Sequence, residues 1–598
     1  MMINKKIICF VIVAVMLLSA CTKKDDAGDV PLADIDITDE DRDDDASGDA
    51  VTLTCNGKAV ESNGKISNEN GTVTITDGGE YILSGELNGS VVVEAKDKTV
   101  QLILDGITVT SENTAPISIR KAKKVVITIA EGSENCLCDR GSYIYDDKAE
   151  NEPSAAVFSK SDLTLNGEGS LTVDTEFNDG IVSKDILRII GGRYNITSAD
   201  DGIVGRDAVL IENGSFTIKS GGDGIKTTNT DDASLGYISI TDGSFNIESG
   251  TDGIQAVTAV NIADGEYVIK TGGGSVNASY IEEGGFAEGW GKWHGGPQTS
   301  GEEETDDTVS AKAIKAGTSI GVQGGIFTID SSDDSIHSNK NINISGGDIT
   351  AASGDDGIHA DSDLTVSGGN ITVTKSYEGL EACNITLSGG NINITASDDG
   401  VNGAGGNDSS AMGDRPGQNA FSSGTAVFTM SGGNLTVSAA GDGIDINGSA
   451  AVDGGTVYVY GPENSGNGII DYDTSFEING GTFIAMGASG MLQGFTGGSQ
   501  PSVACTVGNV QAGVVVSMED SATCEELFSF EALKQCSALI FSSSELEVGR
   551  EYTVYITADG EKTAIGSYTQ STALMGGGAG GGGGPGGGMG GPGGRPMR

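Results

Sequence analysis

An acid beside a glycine and an aliphatic residue recurs along the chain, as NDGIVS at 178, DDGIVG at 200, GDGIKT at 222 and TDGIQA at 251. The series resumes as AKAIKA at 311, DDSIHS at 333, DDGIHA at 355, YEGLEA at 377, DDGVNG at 398, GDGIDI at 441 and GNGIID at 466, and most steps are 21 or 22 residues. If the copies stack, one column runs Asp179, Asp201, Asp223, Asp252, Lys312, Asp334, Asp356, Glu378, Asp399, Asp442 and Asn467, with Asp200, Asp333, Asp355 and Asp398 just before it. Stacked strands lie about 4.8 Å apart, and two carboxylates at that separation repel by roughly 3 kcal/mol at an effective dielectric near 20. Calcium relieves such repulsion, because it takes about six to eight oxygens at about 2.4 Å. The densest group, Asp333, Asp334, Asp355, Asp356, Glu378, Glu381, Asp398 and Asp399, is the expected calcium site, and Asp200, Asp201 and Asp223 offer the same donors in earlier copies. The competing reading is that each acid hydrogen-bonds a corner amide and otherwise faces water, which is ordinary chemistry for any single Asp-Gly pair.

Beside the acids stand His337 and His359 at one register, followed in that column by Glu381 and Asn402. A zinc pair there lacks a third ligand pattern, so all four are expected to be polar surface residues or hydrogen-bonders to sugar. Lys312 and Lys315 interrupt the acids; they neutralise neighbours, or one is a catalytic base with a depressed pKa. Between the copies at 251 and 311 lies NASYIEEGGFAEGWGKWHGGPQTSGEEETDD, in which Trp290, Trp293, Phe286 and Tyr280 offer flat faces to sugar rings, with His294 as a polar neighbour. Such a loop is where a repetitive scaffold carries binding. Equally, the two tryptophans staple the loop down.

These residues need a scaffold that repeats in register. Each acidic phrase is followed by two alternating runs joined at glycine, such as LTVSGGNITV from Leu364 and FTMSGGNLTV from Phe428. Period-two alternation marks strands with one buried face. A unit of about 22 residues with three short strands predicts an all-β fold, a right-handed parallel β-helix solenoid. One rung cannot bury its apolar face alone, so Ile181, Ile203, Ile225, Ile254, Ile314, Ile336, Ile358, Leu380, Val401, Ile444 and Ile469 are expected to stack inside. The glycine after the acid supplies either positive φ or a close backbone approach.

Residues 1–20 pair Lys5 and Lys6 with an apolar run from Ile7 to Leu18 and read as an export signal. Leu18-Ser19-Ala20-Cys21 resembles a bacterial lipobox, which makes Cys21 the expected lipidated terminus of a membrane-anchored, cell-surface lipoprotein. Residues 21–50 are Asp-rich and read as a flexible stalk, 51–485 as the β-helix, 486–572 as a small C-terminal β module, and 573–598 as a disordered Gly-rich tail. A net charge of −51 argues against nucleic acid as a partner, and the chain is expected to be monomeric. Seven cysteines follow Cys21; Cys505, Cys524 and Cys536 lie close enough in sequence for one disulfide.

The segments GGEYILSGELNGSVVV at 78, VQLILDGITVTS, KVVITIAEGSEN and AAVFSKSDLTLNGEGSLTV, followed by the DGI series, resemble a family of bacterial carbohydrate-binding domains built on a calcium-binding parallel β-helix similar to pectate lyases. The resemblance implies polysaccharide binding, with acidic plant cell-wall polymers and cellulose as candidate ligands and Ca²⁺ held by rung carboxylates. The leading expectation is a surface-anchored, noncatalytic, calcium-dependent polysaccharide-binding protein. The alternatives are a calcium-dependent pectate-type lyase using Lys312 or Lys315, and a structural envelope protein.

Overall fold

The computed structural model describes residues 30–145, 149, 151–278, 310–404, 425–570 and 574–575. The expected signal peptide, Cys21, Tyr280, Phe286, Trp290, Trp293 and His294 lie outside the described residues, as does the tail expected to be disordered over 573–598 except Leu574–Met575, which is corrected to a strand paired with Ser502–Val510. The chain is all-β, with a long, mainly parallel sheet. Strands pair with the third strand after them: Ser215–Ser220 with Ser244–Ser249, that with Glu266–Thr271, and that with Ile326–Ser331. Two further ladders run alongside, through Ile203–Gly205, Ile225–Thr227 and Ile254–Ala256, and through Ala208–Ile211, Tyr237–Ile240 and Ala259–Ile262. Three parallel ladders advancing one strand spacing per turn are consistent with a β-helix.

The alternation read from sequence sets the burial. In Ser215–Ser220 and Ser244–Ser249, exposed and buried residues alternate at every position. Ile181, Ile203, Ile225, Ile254, Ile314, Ile336, Ile358, Leu380, Val401 and Ile444 pair in that order and are fully buried. The last step differs from expectation: Ile444 pairs with Ile470, not Ile469. A second interior column is aromatic. Tyr194, Phe216, Phe245, Tyr267 and Phe327 stack with centroids 5.0, 4.8, 4.8 and 4.5 Å apart and planes within 9°, so the rung spacing is also a ring-stacking distance.

Two glycine columns serve two needs. Gly369, at the corner before Asn370–Lys375, has φ +88° and so takes the left-handed conformation that disfavours a Cβ. Gly224, in the acidic phrase, has no such φ; a Cβ there would stand 2.5 Å from the Gly253 carbonyl oxygen and 2.6 Å from Ile247 Cγ2. Close approach, not positive φ, therefore explains the glycine after the acid. Ala313 and Ser335 occupy the equivalent place around Lys312 and Asp334, and there the rung-to-rung bond Ala313 N to Asp334 O is 3.2 Å, against 2.9 Å for Gly224 N to Asp252 O. Gly224→Ala is expected to cost about 1–3 kcal/mol through overpacking, measured as a lowered urea midpoint.

The stalk expected over residues 21–50 is corrected for its described part, which lies against the solenoid. Leu32, Ile35 and Ile37 pack on Ala208, Leu210, Tyr237 and Ala259. Ala33 N donates to Ser234 O at 2.7 Å, and Tyr237 Oη donates to Ala33 O at 2.9 Å. Asp41 is fully buried, 2.6 Å from Lys124 Nζ and accepting from Thr164 Oγ1. Burial alone would raise its pKa, but Lys124 and the hydroxyls hold it at about 2. Three apolar residues among the acids anchor this strap, a signal that average composition conceals.

At the C-terminal end, Thr482–Gly487 pairs antiparallel with Cys536–Ser542, which also pairs with Ser502–Val510. A separate four-stranded antiparallel sheet contains Val515–Asp520, Glu526–Glu531, Glu551–Ala558 and Glu561–Thr569. Ile484 and Met486 share an apolar cluster with Val516, Phe528 and Phe541, so the module packs on the last rung. Cys505, Cys524 and Cys536 are all free thiols; two are buried and Cys524 is exposed.

Candidate functional site

The aspartate column exists, and it divides its oxygens between two tasks. One oxygen of each aspartate in the column, though not of Glu378, accepts the backbone N–H of the next rung. Asp223 N donates to Asp201 Oδ1 at 2.7 Å, Asp252 N to Asp223 Oδ1 at 2.9 Å and Lys312 N to Asp252 Oδ1 at 2.8 Å. The pattern continues with Asp356 N to Asp334 Oδ1 at 3.0 Å, Glu378 N to Asp356 Oδ1 at 3.1 Å and Asp442 N to Asp399 Oδ1 at 2.5 Å. The final place belongs to Gly468, whose N–H donates to Asp442 Oδ1. Asn467, expected there, is displaced by one position, matching the shift at Ile470.

The second oxygen faces a column three residues further on, in which Lys226, Gln255, Lys315, His337, His359, Glu381, Asn402, Asp445 and Asp471 pair in sequence order. In the earlier rungs this column compensates charge. Lys226 Nζ stands 2.8 Å from Asp223 Oδ2 and 3.2 Å from Asp201 Oδ2. Lys315 Nζ is 3.4 Å from Asp252 Oδ2 and 2.9 Å from Ser310 Oγ. Lys312 comes from the acid column itself, is fully buried, and bonds Asp333 Oδ1 and Asp334 Oδ2, each at 2.8 Å. Burial opposes its charge, but the two carboxylates raise its pKa. A catalytic Lys312 with a depressed pKa is therefore corrected to a structural cation. Asp333 and Asp334, from the expected calcium group, are already held by it.

From Glu381 onward no cation stands in the second column. Glu378 and Glu381 are both pushed well above the usual carboxylate range, first by burial and then by neighbouring carboxylates. Asp399 rises to about 8 through burial and the charges of Asp398, Asp442 and Asp445. Asp445 rises to about 7 and Asp442 to about 6, again through burial first. Ligand atoms of Asp399, Asp442 and Asp445 lie within 4.8 Å of one another. Asn402, in the register between Glu381 and Asp445, donates its Nδ2 to Glu378 Oε2 at 2.6 Å, while its buried Oδ1 meets no donor. An amide oxygen that meets no donor, among carboxylates that no cation compensates within the described residues, is a donor set fitted to a hard cation. Asp445 escaped sequence reasoning, although its place in GDGIDI, three residues after the acid, is that of His337 and His359.

Other expected donors are placed as follows. Asp355 is pushed well above its ordinary range by burial, Asp356 and Asp334, and ligand atoms of Asp333, Asp334 and Asp355 cluster beside Lys312. Asp200 and Asp201 cluster with Asp179, whose pKa rises to about 7 through burial and those two neighbours. His337 and His359 are not surface residues, each being 2% exposed. His337 Nδ1 is 2.8 Å from Asp334 Oδ2 and its Nε2 is 3.0 Å from Asn339 Oδ1.

On another edge the glycine corners leave a shallow trough lined by Gly325, Ile326, Gly347, Asp348, Gly369 and Asn370. An amide ladder continues from it, with Asn370 Nδ2 donating to Asp348 Oδ1 at 2.6 Å and Asn391 Nδ2 to Asn370 Oδ1 at 2.9 Å.

Residues 69–357 match the family described as "Carbohydrate-binding domain-containing protein". A protein of that description from Acetivibrio thermocellus is 39% identical over 236 residues, which is 38% of this chain and 82% of the relative. A solved structure described as the polysaccharide lyase-like protein from C. thermocellum, gadolinium derivative, is 33% identical, with a TM-score of 0.36, covering 36% of this chain and 89% of that one. The family match ends at residue 357, so the rungs bearing Asp399, Asp442 and Asp445 lie beyond it.

Proposed function

We propose, from the premise that the chain belongs to the carbohydrate-binding domain-containing protein family, that it is a noncatalytic, calcium-dependent binder of acidic polysaccharide. We place it at the cell surface, anchored through lipidated Cys21, with a right-handed solenoid as the scaffold, the hand that parallel crossovers favour. The observation that carries this reading is the change from cations to acids along the second column. Asp399, Asp442, Asp445 and Asn402 would hold the calcium. Bound there, the ion supplies positive charge to a chain of net charge −51, and so allows a polyuronate to approach a surface that otherwise repels it. The side chains' own work is to present oxygens at rung spacing, at positions that lysine occupies in earlier rungs.

The lyase reading is disfavoured by Lys312, which is fully buried and fixed to two carboxylates, and by Lys315, whose Nζ is engaged by Asp252 at 3.4 Å and Ser310 at 2.9 Å. Binding to polygalacturonate is expected to weaken at least tenfold when calcium is replaced by chelator, measured by retention on immobilised polymer. Incubation with the polymer and calcium at alkaline pH is expected to produce no unsaturated-sugar absorbance. Equal retention in chelator would remove the calcium-bridged reading, and appearance of the absorbance would restore the lyase.

A further inference from the structure

We propose that Asp356, His359 and Glu381 form a separate centre for a divalent transition ion of the zinc class. His359 Nδ1 stands 3.4 Å from Asp356 Oδ2 and 3.4 Å from Glu381 Oε2. Those separations match the edge of a tetrahedral donor set, roughly 3.3 Å for bonds of 2.0–2.1 Å. The register builds the triad: His359 pairs with Glu381 across one rung boundary, and Asp356 lies three residues before His359.

Two of the three donors are held from behind. Asp356 Oδ1 accepts Glu378 N–H at 3.1 Å, which leaves Oδ2 for the imidazole side. His359 Nε2 lies 3.5 Å from Asp361 Oδ1, so a carboxylate backs the imidazole as one does behind many metal-bound histidines. His359 is 2% exposed, and Glu381, with its side chain 19% exposed, is the most accessible of the three donors. One rung earlier, Asp334 and His337 repeat half of this arrangement, but Lys312 Nζ bonds Asp334 Oδ2 at 2.8 Å and repels a cation there. Nitrogen ligation sets the choice of ion: calcium takes oxygen donors, while imidazole with carboxylates suits zinc and its first-row neighbours. This centre does not rest on glycan binding or on the calcium site.

The test uses the full chain carrying Cys136→Ser and Cys138→Ser, because those thiols lie 3.0 Å apart and would compete for zinc. After chelation and dialysis, the protein is titrated with Zn²⁺ by calorimetry and with Co²⁺ by visible absorption, in excess calcium. One ion with a four- or five-coordinate cobalt spectrum is expected. His359→Gln and Glu381→Gln are each expected to weaken binding at least tenfold, and Asp445→Asn to leave it unchanged; if His359→Gln does not fold, Glu381→Gln, at the most accessible donor, decides. Absence of cobalt binding in calcium, wild-type affinity in Glu381→Gln, or loss of binding in Asp445→Asn would overturn the centre. Because the Asp445→Asn arm reports on the calcium site, failure of one metal site is distinguishable from failure of the other.

Discussion

Lys312→Ala is expected to destabilise the middle of the solenoid by about 3–5 kcal/mol, the cost of leaving a buried charge without its partner. Asp334 is fully buried, and Lys312 and His337 share its Oδ2 at 2.8 Å each. Burial pushes the Asp334 pKa up, but Lys312 and then His337 override it and hold the carboxyl well below 3.8. A depressed carboxylate contributes stability that is present above its unfolded pKa and lost as pH falls through the folded value. The raised Lys312 contributes stability present below its unfolded value of 10.5 and lost as pH rises through the folded one. Both contributions are therefore in force at neutral pH, and the cost of Lys312→Ala is expected to be greater at pH 8 than at pH 4, where Asp334 can neutralise itself. A solenoid opens locally, so hydrogen exchange should rise first in Ile254–Ala256 and Ile336–Ser338, which flank Ile314–Ala316. Lys312→Met with Asp334→Asn removes both charges and is expected to recover most of the loss. A urea midpoint for Lys312→Ala equal to that of the wild type would show that the ion pair contributes nothing.

The register of the acid column was legible because similar phrases, mostly 21 or 22 residues apart, leave one way to stack, and it holds from Ile181 to Ile444. It slips at GNGIID, where two adjacent isoleucines offer two registers and the chain uses Ile470. The division of labour between Oδ1 and Oδ2 was not legible, since it depends on side-chain direction. Corner amides take one oxygen of the column's aspartates, as the hydrogen-bonding reading expects, while the second oxygen meets Lys226, Lys315 or Lys312 in the earlier rungs. That Lys312 neutralises neighbouring acids was legible and matches its contacts with Asp333 and Asp334; its complete burial was not, and follows from sitting in the column instead of beside it. The strap over residues 30–50 was hidden by averaging, as Leu32, Ile35 and Ile37 are outnumbered by aspartates yet supply its apolar anchor.

The calcium increment in thermal stability is expected to be near zero at pH 5 and to reach several degrees at pH 8. Asp399, Asp445 and Asp442 have pKa values raised to about 8, 7 and 6 from an unfolded 3.8. A carboxyl that holds its proton more tightly when folded stabilises the protein fully below the unfolded pKa, and that contribution erodes as pH rises from 3.8 through the folded value. In chelator the melting temperature should therefore fall between about pH 5 and pH 8, as buried acids charge against one another. Calcium binds the charged forms, so it competes with protons at pH 5 and cancels the repulsion at pH 8. At a concentration 100 times its dissociation constant it adds about 2.7 kcal/mol. Asp445→Asn gives the result that generic loss of a side chain does not. Removing one repelling charge should raise the chelator melting temperature at pH 8 above that of the wild type, while shrinking the calcium increment. A variant that melts lower than the wild type in chelator, or keeps the full increment, would mean that Asp445 is already compensated and that the cation belongs elsewhere on the column.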